Sequence, residues 1–280
     1  FNYFFDDRVM NYCETRMNKK IYKENLEKQK DNKYTTKQEI YLFFGILLSL
    51  VSTRPRNFRD CWNKNKIAYN ERIAKTLSRK RFCFLHYKFT LLSKKDMKNG
   101  LIVKKPKIIK YLFALFRTSF YPGEHMVIDE TICAFKGRVL NRTYSPGKPD
   151  KFGIKTYSLC DSKTSFLLDL QIVGEQNSLN VMITEMMKFY EEKYHTLHMD
   201  NFYSSVNLFK NLLKKKIYCN GTLRANRGVK KEMFENVLKE KHSIRFNNVD
   251  EDITFINYND SKPVKFLTTK FTNQIVETRT

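Results

Sequence analysis

The chain of 280 residues carries 52 Lys and Arg against 29 Asp and Glu, a formal net charge of +23, with 41% hydrophobic and 14% aromatic residues. That much apolar material fills one large core or two ordinary ones, which excludes global disorder. No stretch approaches the ~18 uninterrupted apolar residues of a membrane-spanning helix, so no membrane role is expected.

The chain opens on Phe1 with no signal-peptide pattern, as a piece cut from a longer protein would. Lys (37) and Asn (24) are abundant, as AT-rich coding alone can produce. The charge is nevertheless uneven: residues 1–125 hold 28 basic against 11 acidic side chains, and 126–280 hold 24 against 18. A shared codon bias does not explain that asymmetry, which points to polyanion binding in the N-terminal half. Six cysteines, at 13, 61, 83, 133, 160 and 219, offer no CxxC clip. Zinc is not expected, and the thiols read as reduced and buried in an intracellular protein.

Residues 1–122 read as helical. Thr36-Lys-Gln-Glu39 is a capping-box pattern in which the Thr oxygen accepts from the Glu39 amide and Glu39 reaches back. Ile40, Phe43, Phe44, Leu47, Leu48 and Val51 then follow as one apolar stripe, and Pro55 closes the helix. Ser78 to Leu92 repeats the pattern, with Phe82, Leu85, Phe89 and Leu92 inward. Arg79, Lys80, Arg81 and Lys88 point outward, the first three as candidates for nucleic-acid contact. Pro106 opens a third helix, with Ile108, Ile109, Leu112, Phe116 and Phe120 as its face, ended by Tyr121-Pro-Gly123.

After Gly123 the period changes. His125–Phe135, Phe152–Cys160 and Ser165–Val173 predict three antiparallel strands. A helix over Ser178–Tyr190, a strand over Tyr194–Asp200, a helix over Ser204–Lys215 and a strand over Ile217–Arg224 follow. The fold class is therefore α+β or α/β: a mixed sheet with packed helices over 123–226. Short alternating segments over 227–280 resemble a small β-rich insertion.

Asp129, in Met126-Val-Ile-Asp-Glu130, lies inside the first of these strands, and Asp200, in Leu197-His-Met-Asp-Asn201, ends the fourth. An acidic residue on an apolar strand costs desolvation unless paired or metal-bound. Two on neighbouring strands can share Mg²⁺, which needs few carboxylates beside water and phosphate oxygens; hydrogen-bonded strand-end carboxylates are the other open reading. Asp161, before Ser162, reads as a turn former, and Asp169 is a second competitor. His195 and His198 are three apart on a strand and point to opposite faces, which argues against a shared metal.

These residues carry a resemblance. Asp129-Glu-Thr-Ile-Cys-Ala-Phe-Lys-Gly-Arg138 resembles the first catalytic block of piggyBac-type transposases. Tyr144-Ser-Pro-Gly-Lys-Pro-Asp-Lys-Phe-Gly-Ile-Lys155 is similar to that family's Lys-Pro-x-Lys-x-Gly-x-Lys segment, and Met199-Asp-Asn-Phe-Tyr-Ser-Ser205 to its second Asp block. Phe44-Gly-Ile-Leu-Leu48, Asp60-Cys-Trp62, Ser78-Arg-Lys-Arg-Phe82 and Gly221-Thr-Leu-Arg-Ala-Asn226 fall in order around them.

The resemblance implies a ribonuclease H-like core with Asp129 and Asp200 as catalytic metal ligands, using Mg²⁺ with Mn²⁺ as substitute. It also implies a helical dimerisation and DNA-binding region, a homodimer, a nuclear location, and transposon ends with TTAA targets as substrate. The family's third Asp, in a Gly-Val-Asp-x-x-Asp-like helix start, has no match over 227–280. Asp250, Glu251, Asp252, Asp260 and Glu277 stand in other contexts. A chain of this kind is expected to bind duplex DNA without cleaving it, either as part of a transposase or as an inactive DNA-binding derivative. A basic interaction module without a nucleic-acid role is a more distant reading. Lys136, Arg138, Lys148, Lys151 and Lys155 cluster beside the first Asp block, where they can hold DNA phosphates or lie in a solvated loop.

Overall fold

The computed structural model describes residues 3–92, 94–102, 105–135, 137–173, 178–235 and 240–271. The chain divides into two compact units, Phe1–Lys94 with Pro106–Leu115, and Lys95–Lys105 with Phe116–Thr280.

The first unit is helical. Asp6 caps α1 (Asp7–Lys28), its carboxylate accepting from the Val9 amide at 3.0 Å. Val9, Met10, Cys13, Met17 and Ile21 form its buried stripe. This helix lies within the stretch expected to be helical, and its Asp cap and the spacing of these residues are both helix signals. Next come α2 (Lys37–Thr53), a 3-10 turn over Phe58–Trp62, α3 (Glu71–Thr76) and α4 (Arg79–Lys88). α5 (Lys107–Ser119) begins in this unit. Phe43 centres the core, its ring 5.4 Å from Phe82 and 5.7 Å from Phe89.

Three sequence expectations are corrected here. The Thr36 hydroxyl does accept from the Glu39 amide at 3.3 Å, but the Glu39 carboxylate turns instead to the Thr35 hydroxyl and to Arg81. On α2 the buried residues are Ile40, Phe43 and Ile46, whereas Leu48 and Val51 are exposed. Lys88 does not point outward: it is buried and paired with Glu24.

The second unit opens with a hairpin, β1 (Met97–Lys98) and β2 (Leu101–Ile102), where a helical region was expected. Asn99 and Gly100 take φ of 49° and 79°, the left-handed pair that tight hairpins need. A nine-stranded sheet follows: β3 (His125–Ala134), β4 (Arg142–Tyr144), β5 (Phe152–Asp161), β6 (Leu167–Ile172), β7 (Thr196–Met199), β8 (Tyr218–Thr222), β9 (Ile244–Asp250), β10 (Ile253–Asn259) and β11 (Pro263–Thr268). Its order is β4-β5-β3-β7-β8-β11-β10-β9, and β6 also pairs with β5. β3–β7 and β7–β8 are parallel and the other pairs antiparallel, so the sheet is mixed. The antiparallel meander β3, β5, β6 lies where the sequence placed it, and β9 to β11 extend the same sheet through β8.

Parallel neighbours require crossovers. α7 (Val206–Leu213) supplies the one between β7 and β8, capped by the Ser205 hydroxyl. α6 (Leu179–Met187) precedes β7, and a short α8 (Lys231–Glu235) follows β8. Met182, Ile183, Met186 and Met187 of α6 and Leu208, Phe209 and Leu212 of α7 bury against Met126, Ile128, Leu159, Leu197 and Met199 of the sheet. Among the described residues no helix is long and apolar enough to cross a membrane. All six cysteines are free; Cys13, Cys61 and Cys219 are buried as expected, but Cys133 is exposed.

Candidate active site

The parallel register of β3 and β7 pairs Met126 with Leu197, Val127 with His198 and Ile128 with Met199. Ile128 and Met199 are both buried in the core. Asp129 is the next residue of β3, and Asp200 is the residue just past the end of β7; both are exposed. Strand alternation turns Asp129 to the face opposite Ile128. The two acids thus each follow one paired position, Ile128 and Met199, of adjacent parallel strands.

Each is fixed by its backbone. The Glu130 amide donates to Asp129 Oδ1 at 2.7 Å, and the Asn201 amide to Asp200 Oδ1 at 2.5 Å. Thr222 of β8 adds a hydroxyl donor to the same Asp200 oxygen at 3.1 Å. The Asp200 carbonyl accepts from the amides of Tyr203 and Ser204 and from the Ser204 hydroxyl, closing a tight turn into α7. Gly221 makes that turn possible: a Cβ there would stand 2.3 Å from Ser204 Oγ and 2.6 Å from the Met199 carbonyl oxygen.

Behind the acids lies an aromatic wall. Tyr203 packs edge-on against Tyr157 and Phe202, with ring centroids 5.6 and 5.1 Å away. Its hydroxyl is buried and, among the described residues, without a hydrogen-bond partner. Burial first, then the nearby charges of Glu130, Asp129 and Asp200, push its pKa well up.

Lys155 was a candidate for DNA contact. Its Nζ is 2.7 Å from Glu130 Oε1 and lies over the rings of Tyr157 and Phe202, so it is engaged inside the protein. Arg138, Lys148 and Lys151 are exposed, as are Arg79 and Lys80 of the first unit. Arg81 makes four hydrogen bonds, two to the Glu39 carboxylate and one each to the Lys33 and Tyr34 carbonyls. Lys136 and Glu277 lie outside the described residues.

The competing acids have other work. Asp161 is buried and accepts from the Gly123 amide and from the amide and hydroxyl of Thr164, the turn role expected of it. Asp169 pairs with Lys105, and Asp250 with Lys210 at 2.6 Å. Glu251 and Asp252 sit in the turn between β9 and β10, and Asp260 in the turn between β10 and β11. His195 is buried with Nδ1 2.9 Å from the Gly123 carbonyl, while His198 Nε2 meets His125 Nδ1 at 3.0 Å. The two histidines therefore serve separate partners. Among the described residues no group of three or more His, Cys, Asp or Glu comes together as a metal cluster.

Comparison with known proteins gives a consistent result. The transposase IS4 family model matches residues 1–280. Over 243 residues the chain is 24% identical to PiggyBac transposable element-derived protein 2 of Homo sapiens, taking in 81% of this chain and 40% of that protein. Its fold is similar to a chain in the cryo-EM structure of the piggyBac transposase synaptic complex with hairpin DNA. That match has a TM-score of 0.83 and 25% identity, and covers 99% of this chain and 61% of that one. The chain thus spans less than half the length of the human relative and about three fifths of the solved one.

Proposed function

The chain belongs to the transposase IS4 family, among relatives of piggyBac type, and from that premise we propose that its second unit contains the ribonuclease H-like core of a DNA transposase that cuts and joins phosphodiester bonds at transposon ends. The observation that carries this reading is the parallel pairing of Ile128 with Met199, which Asp129 and Asp200 each follow by one residue. Residues 1–122 are assigned the DNA-binding and dimerisation role, 123–226 the catalytic core and 227–280 the β-rich insertion. Duplex DNA with TTAA-type targets is the substrate, a homodimer the working form and the nucleus the location.

The donor set fits Mg²⁺ or Mn²⁺: two exposed carboxylates leave room for water and phosphate oxygens, as Mg²⁺ prefers. Bound there by Asp129 and Asp200, such ions would supply charge neutralisation at the phosphate and activation of the attacking oxygen. The protein's part is positioning. Thr222 and the Asn201 amide orient Asp200, the Glu130 amide orients Asp129, and the Tyr203 ring closes the rear of the site. Exposed Arg138, Lys148 and Lys151 neutralise backbone phosphates without reading bases.

A second reading is favoured by one observation: among the described residues no third acid joins the pair. A two-ion site so furnished lacks charge and a ligand, and phosphoryl transfer depends on both. On this reading the 280 residues by themselves bind DNA without cleaving it. The test is incubation of duplex and transposon-end DNA with the chain in Mg²⁺ or Mn²⁺. Binding with a steep inverse salt dependence and no cleavage supports the second reading. Cleavage abolished by Asp129→Asn or Asp200→Asn supports the first, and no binding at low salt defeats both.

A further inference from the structure

The hairpin of β4 and β5 carries an exposed aromatic pair that the folding of the sheet does not require. Tyr144 on the outer strand is directly opposite Phe152. Their ring centroids are 4.8 Å apart, yet Tyr144 is 58% and Phe152 52% exposed. The Arg142 guanidinium lies over the Phe152 ring at 5.7 Å. Beside them opens a cleft of about 450 Å³, lined by Phe135, Arg142, Pro149, Asp150 and Lys151. The segment is braced. The Asn141 amide donates to the carbonyls of Ile102 and Val173, and the Ser145 amide closes the turn on the Lys151 carbonyl at 2.8 Å.

Exposed aromatic surface on a braced frame marks a binding surface, and its surroundings say for what. Residues 137–152 hold four cations, Arg138, Arg142, Lys148 and Lys151, against the single acid Asp150. Rings with flanking cations are the arrangement that holds unpaired bases, the ring taking the π face and the cations the backbone. The place in the sheet agrees. Asp129 pairs with Ser158, and Phe135 lies opposite Phe152 through a backbone hydrogen bond of 3.3 Å. Phe152 and Ser158 are an even number of residues apart, so the aromatic pair faces the same side as Asp129. At ~3.3 Å per residue the pair stands about 20 Å from Asp129 along the strand. A stacked nucleic-acid strand, rising ~3.4 Å per nucleotide, covers that in about six nucleotides.

We propose that Tyr144 and Phe152, with Arg142, form a stacking platform for an unpaired nucleobase of a DNA strand running toward Asp129, with Lys148 and Lys151 on its phosphates. The proposal rests on the reading of the chain as a DNA-acting protein, and adds that it distinguishes unpaired from fully paired ends.

The test compares the full chain's affinity for a blunt duplex and for the same duplex with a short single-stranded tail containing 2-aminopurine. A base stacked on an aromatic residue strengthens binding by about 5- to 100-fold. The tailed DNA should bind tighter by that ratio, with 2-aminopurine fluorescence quenched on binding. Tyr144→Ala with Phe152→Ala should bring the ratio near one and remove the quench, whereas Tyr144→Phe should keep both. Phe152→Leu, which keeps apolar bulk without a π face, should lower the ratio in a protein of unchanged circular dichroism. A preference that survives the double alanine variant overturns the platform, as does wild-type protein that binds both DNAs equally. Self-association lost in the double variant, without tail preference, would assign the rings to a second copy of the chain instead. Failure to bind either DNA at low salt would overturn the DNA-acting reading itself.

Discussion

Arg81 grips the Glu39 carboxylate through two hydrogen bonds of 2.7 Å, joining the start of α4 to the start of α2. Both side chains are only 19% exposed, and the guanidinium also holds the Lys33 and Tyr34 carbonyls. A side chain so engaged has little left for a phosphate.

Arg81→Ala should therefore destabilise the first unit by about 1–3 kcal/mol, since it strands a half-buried carboxylate and two carbonyls. Arg79→Ala and Lys80→Ala should leave the thermal midpoint within a degree or two and reduce the salt slope of DNA binding by about one each. Thermal melts beside salt-dependent binding isotherms separate the two roles. An Arg81→Ala protein of unchanged stability would return Arg81 to the DNA surface.

The same ion pair predicts an acid limb in stability. Burial works to raise the Glu39 pKa, but the Arg81 guanidinium and the Thr35 hydroxyl outweigh it and hold it below the ordinary value. In Asp161 burial is likewise outweighed, by the hydroxyl and amide of Thr164 and the Gly123 amide. A carboxylate depressed in the folded state stabilises fully above its unfolded pKa, about 4, and loses that contribution as pH falls through the folded value. The melting temperature should be level at neutral pH and drop below about pH 4. Glu39→Gln should lower it at pH 7 and shrink the acid drop, as a pH series of calorimetric scans will measure.

Gly221→Ala should cost stability, because the new methyl would fall inside contact distance of Ser204 Oγ and the Met199 carbonyl. Overpacking of this kind costs about 1–3 kcal/mol and displaces the turn that bears Asp200. Gly147→Ala, with nothing within 4 Å of the added carbon, is the control and should be neutral. Equal melts for the two variants would mean that the Asp200 turn yields freely.

Metal binding should be weak and depend on both acids. Mg²⁺ gives up water reluctantly and demands near-octahedral geometry, so two carboxylates alone hold it loosely. Mn²⁺ titration followed by electron paramagnetic resonance should show low-affinity binding that Asp129→Asn and Asp200→Asn each abolish. Tight binding unaffected by either change would put the ion elsewhere.

Thiol chemistry should divide the cysteines. Cys133 is exposed, while burial pushes the Cys13 thiol up to about 11 and that of Cys219 higher still. In native protein, Ellman's reagent should modify Cys133 first, and Cys13 and Cys219 only with unfolding. Rapid loss of Cys219 in native protein would contradict its burial.

Local sequence determined a good deal. Short-range chemistry at Ser78, Ser178 and Ser205 fixed three helix starts through side-chain caps, and period-two runs marked the meander of β3, β5 and β6. Ordered motifs around Asp129 and Asp200 carried the family, because each depends on residues close together in the chain. The Asn99-Gly100 turn was equally local and equally legible, but stood inside a region read as helical.

Tertiary structure decided what depends on partners far along the chain. Whether a basic side chain meets solvent or a carboxylate is not written in its own neighbourhood: Arg81, Lys88 and Lys155 share their composition with truly exposed lysines and arginines, yet Glu39, Glu24 and Glu130 claim them. The same holds for α2, where periodicity drew one stripe through Leu48 and Val51, and packing buries Ile46 instead. The neighbourhood of Asp129 and Asp200 belongs here too. Their segments could be named from sequence, but the parallel register of β3 and β7, which brings Ile128 level with Met199, is what sets the two acids one residue beyond a shared position.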